Sequence, residues 1–253
     1  MITKYKKTLK KKGILILNNI FSRVELKKVK NKLEKILDKR IKQKKNVGDV
    51  GNLAMYNYFY EDPSLLKLIL ISKVDKILKE VLDKDYVLQS SNAQNRILNH
   101  KKLTSKKSFK IGATWHTDSR YLGGKRLDKG FSYIVIIALD SFTKKNGPTL
   151  YIENSINFRN KPKRKTKAKS KELLMPEGSV CIMDSGMWHK AGKSTNQNRW
   201  SIFSIYTGWF VKPYHNFSSY CKKKNILKKY KRLLHHNSTP PEIDQVRNTV
   251  TSK

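Results

Sequence analysis

Trp115-His116-Thr117-Asp118-Ser119-Arg120 is the stretch around which this chain can be read. The residues before it, 111–114, lean apolar and predict a strand that carries into the motif. Residues two apart on a strand share a face, so His116 and Asp118 present an imidazole and a carboxylate side by side. That pair is two thirds of a 2-His-1-carboxylate facial triad, the ligand set that holds non-haem Fe(II) and leaves coordination positions open. The same tripeptide also occurs by chance at a surface strand end, with the Asp forming a turn. The residue that weighs between these readings is distant: His189 stands 71 positions beyond Asp118, after the strand-like run 180–183.

Composition bounds the rest. The 253 residues are 38% hydrophobic and 10% aromatic, a low share that still builds a core and exceeds that of a disordered chain. An all-β domain of this length is often single. The charge is extreme, 55 basic against 19 acidic residues, a formal +36. Such an excess usually points to nucleic acid or an anionic surface. Here 45 of the 55 are Lys, spread over every segment among abundant Ile and Asn. That pattern reads as coding bias in an A+T-rich genome. Phosphate- and base-reading surfaces favour the Arg fork, and no interleaved aromatic–basic motif is present, so nucleic acid ranks last among the partners considered.

Cys181 and Cys221 are too few for a disulfide framework, and free thiols in a reducing compartment are expected. The basic segment 1–12 precedes only a four-residue apolar run, 14–17, shorter than the apolar core of a signal peptide. The longest apolar run, 134–139, is far below the roughly 20 residues that span a bilayer. The expectation is a cytoplasmic protein with no membrane span.

Taken in order, 13–17 predicts a strand. Ser22 with Glu25 forms a capping box before an amphipathic helix whose apolar positions run from Leu26 to Ile41. Pro63 opens a second helical region over 64–82. Residues 86–98 predict one or two unusually polar strands, with Asn92, Gln94 and Arg96 on one face, either lining a polar cavity or solvated. A basic loop, 99–110, leads to the His116 strand and a Gly123-Gly124 loop. The most apolar strand is 133–139, Asn146-Gly147 predicts a tight hairpin, and 148–152 is its returning strand. A Lys-rich loop, 161–171, is followed by strands at 180–183 and 199–206. Two N-terminal helices and then seven or eight short strands predict an all-β core with flanking helices, a jelly roll or barrel. The domain is expected over 1–213. Residues 214–253 form a basic tail, helical around Tyr220, Leu227, Tyr230, Leu233 and Leu234, that covers the barrel mouth or mediates self-association.

Five pieces, in order, resemble the phytanoyl-CoA dioxygenase-like branch of the Fe(II)/2-oxoglutarate oxygenases. They are the opening strand and Ser22 helix, His116-Thr117-Asp118, the Asn146-Gly147 turn through Ser155, Pro176-Glu177-Gly178-Ser179, and His189 with Arg199 ten residues on. The family usually has Pro-Gly-Ser-His where Glu153-Asn154-Ser155-Ile156 stand. The resemblance covers about residues 10–215 and implies a double-stranded β-helix of the cupin-like kind. It implies Fe(II) held by His116, Asp118 and His189, 2-oxoglutarate as cosubstrate with its far carboxylate on Arg199, and molecular oxygen. Ser201 shares a face with Arg199 and adds a hydroxyl. Asn95 and Thr149 are candidates for the other end of 2-oxoglutarate or for the substrate. The implied reaction is hydroxylation of a small molecule, with 2-oxoglutarate decarboxylated to succinate. The Lys excess mildly favours an anionic substrate, and genome bias explains that excess equally well. Two other readings stay open: a cupin-like metal-binding protein without redox activity, and a basic nucleic-acid-binding protein.

Overall fold

Seven consecutive buried residues, Ser132–Ala138, form an inner strand of the computed structural model. The structure describes residues 1–45, 47, 53–96, 114–118, 121–122, 125–126, 130–158, 160–163, 166–193, 195–224 and 226–235. In chain order the elements are α1 (Ile2–Lys12), β1 (Ile14–Leu17), α2 (Arg23–Lys42), β2 (Leu53–Tyr56), α3 (Ser72–Val81) and β3 (Val87–Asn95). Then come β4 (Tyr121–Leu122), β5 (Lys125–Arg126), β6 (Ser132–Ala138), β7 (Leu150–Tyr151), β8 (Lys171–Glu172), β9 (Val180–Asp184), β10 (His189–Lys190) and β11 (Trp200–Thr207). Helices α4 (Phe217–Lys223) and α5 (Lys228–Leu233) close the series.

The strands make a six-stranded antiparallel sheet in the order β1-β9-β6-β11-β3-β2 and a three-stranded sheet β10-β7-β8, with β4 and β5 paired apart. Alternation divides the core in two. Tyr133, Val135 and Ile137 of β6 join Val180, Ile182, Trp200 and Ile202 in a cluster shared with the helices. Ile134, Ile136 and Ala138 point the other way and join Cys181, Met183, Leu173, Met175 and Met187. A strand buried on both faces reads as a continuous apolar run, which is why 133–139 stands out in the sequence. The small sheet packs on the second cluster, so two antiparallel sheets lie face to face as a double-stranded β-helix, the jelly roll expected.

Helix α2 starts as its sequence requires: the Ser22 hydroxyl accepts from the Glu25 N–H at 3.3 Å, and the Glu25 carboxylate accepts from the Ser22 N–H at 2.9 Å. It lays Leu26, Val29, Leu33, Ile36 and Leu37 on the sheet. Near its end Arg40, almost wholly buried, makes a two-bond pair with Glu61, Nε to Oε1 at 2.9 Å and Nη2 to Oε2 at 2.7 Å. Removing one partner of such a pair strands the other charge out of water. Glu61→Ala is therefore expected to lose about 3–5 kcal/mol of stability, while Arg40→Met with Glu61→Leu recovers most of it. Urea unfolding of the three proteins measures this. Equal midpoints for wild type and Glu61→Ala contradict it.

Some expectations are corrected, and some segments take on structure that the sequence reading leaves open. Segment 1–12 folds as α1, ended by Gly13 at φ 72°, with Leu9 buried and Ile2 and Tyr5 against the core. The helical region 64–82 is two pieces, a 3-10 turn Pro63–Leu68 and then α3, because the chain leaves the helix at Leu70–Ile71 to bury both of its apolar stretches. Asn146-Gly147 is not a β6–β7 hairpin. β7 pairs with β10 and β8, so the turn carries the chain from the large sheet to the small one. The turn is held by the Asn146 carboxamide, which accepts from the Thr143 N–H and donates to the Ser141 carbonyl. After residue 213, α4 and α5 put Phe217, Tyr220, Cys221, Leu233 and Leu234 into the main core cluster. The Tyr220 hydroxyl reaches the Phe59 carbonyl, and Arg232 reaches that of Tyr86. Both cysteines are buried free thiols. No helix among the described residues is long and apolar enough to cross a membrane. The expected loops at 99–110 and Gly123-Gly124, the strand before Thr114, Ser119, Arg120 and the chain beyond 235 lie outside the described residues.

Candidate metal centre

His116 and His189 face each other across a single antiparallel bridge. The His116 N–H donates to the His189 carbonyl and the His189 N–H to the His116 carbonyl, both at 3.0 Å. Directly opposed residues of an antiparallel pair put their side chains on one face, and the two rings lie 4.3 Å apart between centroids. Asp118, two residues on, returns to that face while its N–H donates to the Ser185 carbonyl at 2.9 Å. His116 and Asp118 thus share a face as expected, and among the described residues His116 pairs through a single bridge.

The three side chains converge. Asp118 Oδ1 lies 3.8 Å from His116 Nε2, and Oδ2 lies 3.6 Å from His189 Nε2. One ligand atom from each residue falls within 4.8 Å of the other two. The Nδ1 atoms are committed elsewhere, His116 to the Thr114 carbonyl at 2.8 Å and His189 to the Met187 carbonyl at 2.9 Å. A carbonyl only accepts, so each Nδ1 carries the proton and each Nε2 offers its lone pair, the orientation a metal-ligating histidine needs. Burial lowers the His189 pKa, with the Asp118 charge opposing and the His116 ring adding to the shift, so the neutral ligand form is favoured. The turn between β9 and β10 braces both ligand segments. The Asp184 carboxylate accepts from the Gly130 N–H at 2.8 Å and the Gly186 N–H at 2.7 Å, and Ser185 and Met187 supply the carbonyls named above.

The triad opens into a cavity of about 290 Å³ between the sheets. β3 turns Ser90, Asn92, Gln94 and Arg96 into it, which settles the inward option for its polar face. β11 contributes Phe203 and Ile205 after Arg199, and Thr149 and Ala191 line the opposite side. Arg199 is 1% exposed and stacks on Phe142, its guanidinium carbon 3.9 Å from the ring centre. Among the described residues its Nε and Nη1 have no hydrogen-bond partner. Burial, then the neighbouring Arg96, pushes its pKa down to about 9, still cationic at neutral pH. Arg96, lowered to about 10 by burial, donates to the Gly192 carbonyl. That carbonyl sits where two segments touch. A Cβ on Gly192 meets the Pro148 carbonyl oxygen at 2.2 Å, and one on Gly147, at φ 68°, meets that of Lys193 at 2.1 Å.

Ser201 follows Arg199 on the same face, fully buried, its Oγ without a partner. Asn95 is not brought to the cavity. It falls on the other face of β3, where its Oδ1 accepts from the Arg199 N–H at 3.2 Å and its Nδ2 donates to Asn198 at 3.0 Å. Asp140 anchors the next residue, accepting from the Trp200 N–H at 2.8 Å, so the start of β11 is tied down on both sides of Arg199. Asn92 lines the cavity with Gln94 and Arg96, and Tyr56, Phe203 and Tyr214, which carry no role in the sequence reading, line it too. The alternation Ser90-Asn92-Gln94-Arg96 was the one available signal.

The donor set, two neutral imidazoles and one carboxylate, suits Fe(II) with open positions. The unsatisfied guanidinium in the same cavity suits a carboxylate. Among solved structures the chain resembles the non-heme alpha ketoglutarate dependent carbocyclase SnoK from nogalamycin biosynthesis, at 13% identity, TM-score 0.61, covering 87% of this chain and 90% of that one. It also resembles HygX from Streptomyces hygroscopicus with nickel, 2-oxoglutarate and hygromycin B bound, at 13% identity and TM-score 0.62, covering 83% and 88%. A third is the epimerase SnoN from nogalamycin biosynthesis, at 12% identity and TM-score 0.60, covering 82% and 83%. At such identities these likenesses speak for the fold alone. No curated protein sequence matches. The phytanoyl-CoA dioxygenase family model does match, over residues 9–200, a span that holds the jelly-roll strands through Trp200, the triad and Arg199, and by that match the chain belongs to the phytanoyl-CoA dioxygenase family.

Proposed function

We propose that the chain is an Fe(II)- and 2-oxoglutarate-dependent oxygenase that hydroxylates a small molecule and releases succinate and carbon dioxide. The observation that carries this reading is one cavity holding both a convergent His116-Asp118-His189 set and a buried guanidinium, Arg199, with Nε and Nη1 unpartnered. A metal protein without redox work needs no such cation, since an unsatisfied buried charge is costly unless a ligand meets it. Bound Fe(II) with 2-oxoglutarate supplies the oxidising chemistry, one oxygen atom going to succinate and one to the substrate.

The chain's own residues do the rest. His116, Asp118 and His189 hold the metal on one face. Arg199 orients the cosubstrate through its far carboxylate, with the Ser201 and Thr149 hydroxyls beside it and Arg96 adding a second positive charge. Phe142 stacks on the guanidinium and fixes the direction of its fork. HygX was solved with 2-oxoglutarate bound, in keeping with this reading. SnoK and SnoN are named as a carbocyclase and an epimerase, so the fate of the substrate is a separate question from use of 2-oxoglutarate.

The test is a metabolite screen of the iron-loaded protein in air, scoring succinate and then the mass of the product. Expected are succinate in step with substrate loss and a product heavier by one oxygen atom. Succinate with an isomerised or cyclised product overturns hydroxylation. A protein that neither binds 2-oxoglutarate nor makes succinate overturns the oxygenase reading.

A further inference from the structure

The cavity carries a second specialised row beyond the Arg199 end. Tyr56 on β2 pairs with Asn92 on β3, and Asn92 pairs with Phe203 on β11. Opposed residues of antiparallel neighbours share a face, so an amide flanked by two aromatic rings points into the cavity from three adjacent strands. Phe203 lies four residues after Arg199, about 13 Å of extended chain. That is about twice the length of a five-carbon diacid, so the cavity wall runs on past the Arg199 end.

Asn92 is the decisive residue. It is 8% exposed and its Oδ1 is buried with no hydrogen-bond partner. A buried amide in the cavity wall whose oxygen has no partner among the described residues asks for a donor. Ser90, also buried, follows on the same face, and Ile134 and Ile205 give that end an apolar flank. Tyr56 and Tyr214 stand half-exposed at the mouth. Tyr56 lines the same cavity as His116, Asp118 and His189.

The row asks for a ligand with two kinds of surface. Aromatic faces take a flat C–H surface, while amide and hydroxyl groups take O–H edges. A ring bearing several hydroxyls offers both. An alkyl chain satisfies Phe203, Ile134 and Ile205 but leaves the Asn92 amide desolvated and unbonded, and sites built to hydrogen-bond reject ligands that cannot answer. Tyr56, Asn92, Phe203 and Ser90 are all uncharged. We propose that Tyr56, Asn92 and Phe203, with Ser90, bind the primary substrate, and that this substrate is a hydroxyl-rich ring, a sugar or cyclitol, rather than an acyl chain. The inference rests on the reading of the Arg199 end as the cosubstrate site.

The experiment uses the whole chain loaded with zinc and 2-oxoglutarate, so that nothing turns over and binding alone is read. Saturation-transfer NMR is run with methyl glucopyranoside and myo-inositol as ring probes and decanoyl-CoA as the acyl probe. Expected is a signal from at least one ring probe, weakened roughly ten- to a hundredfold in Asn92→Leu, the effect of one lost hydrogen bond and one desolvated donor. Tyr56→Ala, at an exposed position that tolerates change, should weaken the same probe. 2-Oxoglutarate binding persists in both variants and reports that they are folded. Binding of decanoyl-CoA without either ring overturns the proposal. So does silence from both rings at millimolar concentration, or ring affinity unchanged in both variants. Should 2-oxoglutarate itself fail to bind, the cosubstrate reading falls separately, and the ring titration is read on the zinc protein alone.

Discussion

His116→Ala removes stoichiometric Fe(II) binding and all 2-oxoglutarate turnover while leaving the fold intact. The ring offers one of three candidate ligand atoms, and its other nitrogen, Nδ1, bonds the Thr114 carbonyl. The backbone bridge to His189 is made by main-chain atoms and survives the substitution. Loss of an outer partner of a metal-bound histidine already costs about 10–100-fold in metal affinity, so loss of the ligand itself costs more than that. His116 is also the gentlest triad member to remove, its side chain 34% exposed against 9% for His189. Anaerobic Fe(II) titration followed by metal analysis of desalted protein gives the stoichiometry, and thermal unfolding of the metal-free variant checks the fold. One tightly bound iron and normal succinate formation in His116→Ala would place the metal elsewhere.

How much of this centre could be read from the chain alone depends on the range of each interaction. Local signals carried well. The capping box at Ser22 and Glu25 is a matter of four residues, and it forms as written. The continuous burial of 132–138 shows as an apolar run because both faces of that strand meet core. His116 and Asp118 share a face because two-residue spacing does that in any extended chain.

What failed was set at long range. Asn146-Gly147 has the composition of a hairpin, but its flanking segments pair with other strands, and pairing partners are not written in a turn. The break at Leu70–Ile71 follows from where Leu65, Leu66, Val74 and Ile77 must meet the sheet, which helical periodicity by itself does not encode. Asn95, a candidate for the cosubstrate or the substrate, is not among the residues that line the cavity. Its neighbours Gln94 and Arg96 enter the cavity, and alternation sends Asn95 to the other face, where it braces Arg199 from behind. The polar face of β3 was visible as a pattern, yet whether it faced solvent or cavity turned on β2 and β11, which lie 30 or more residues away on either side.

Arg199 is where the sequence reading and the geometry bear on the same measurement. Arg199→Lys is expected to weaken 2-oxoglutarate binding roughly ten- to a hundredfold, because a charge-assisted hydrogen bond contributes about 1.5–3 kcal/mol net and lysine cannot present the planar fork. The lysine also loses the face that rests on Phe142 at 3.9 Å, so its ammonium is held less firmly. Arg199→Ala removes charge, fork and stacking together and should cost more still. The fold should tolerate both changes, since Nε and Nη1 make no hydrogen bond that the substitution breaks. The backbone anchor survives as well, because the bond from the Arg199 N–H to Asn95 belongs to the main chain. Fe(II) affinity should stay near the wild-type value, as Arg199 is outside the ligand set. The measurement is a 2-oxoglutarate titration of the iron-loaded protein without oxygen, wild type against both variants, with iron content determined in each. Affinity that falls in the order wild type, Lys, Ala at constant iron content assigns the guanidinium to the cosubstrate. Unchanged affinity in Arg199→Ala removes that role, leaves a metal site with no demonstrated cosubstrate, and turns the reading toward a metal-binding protein without redox activity.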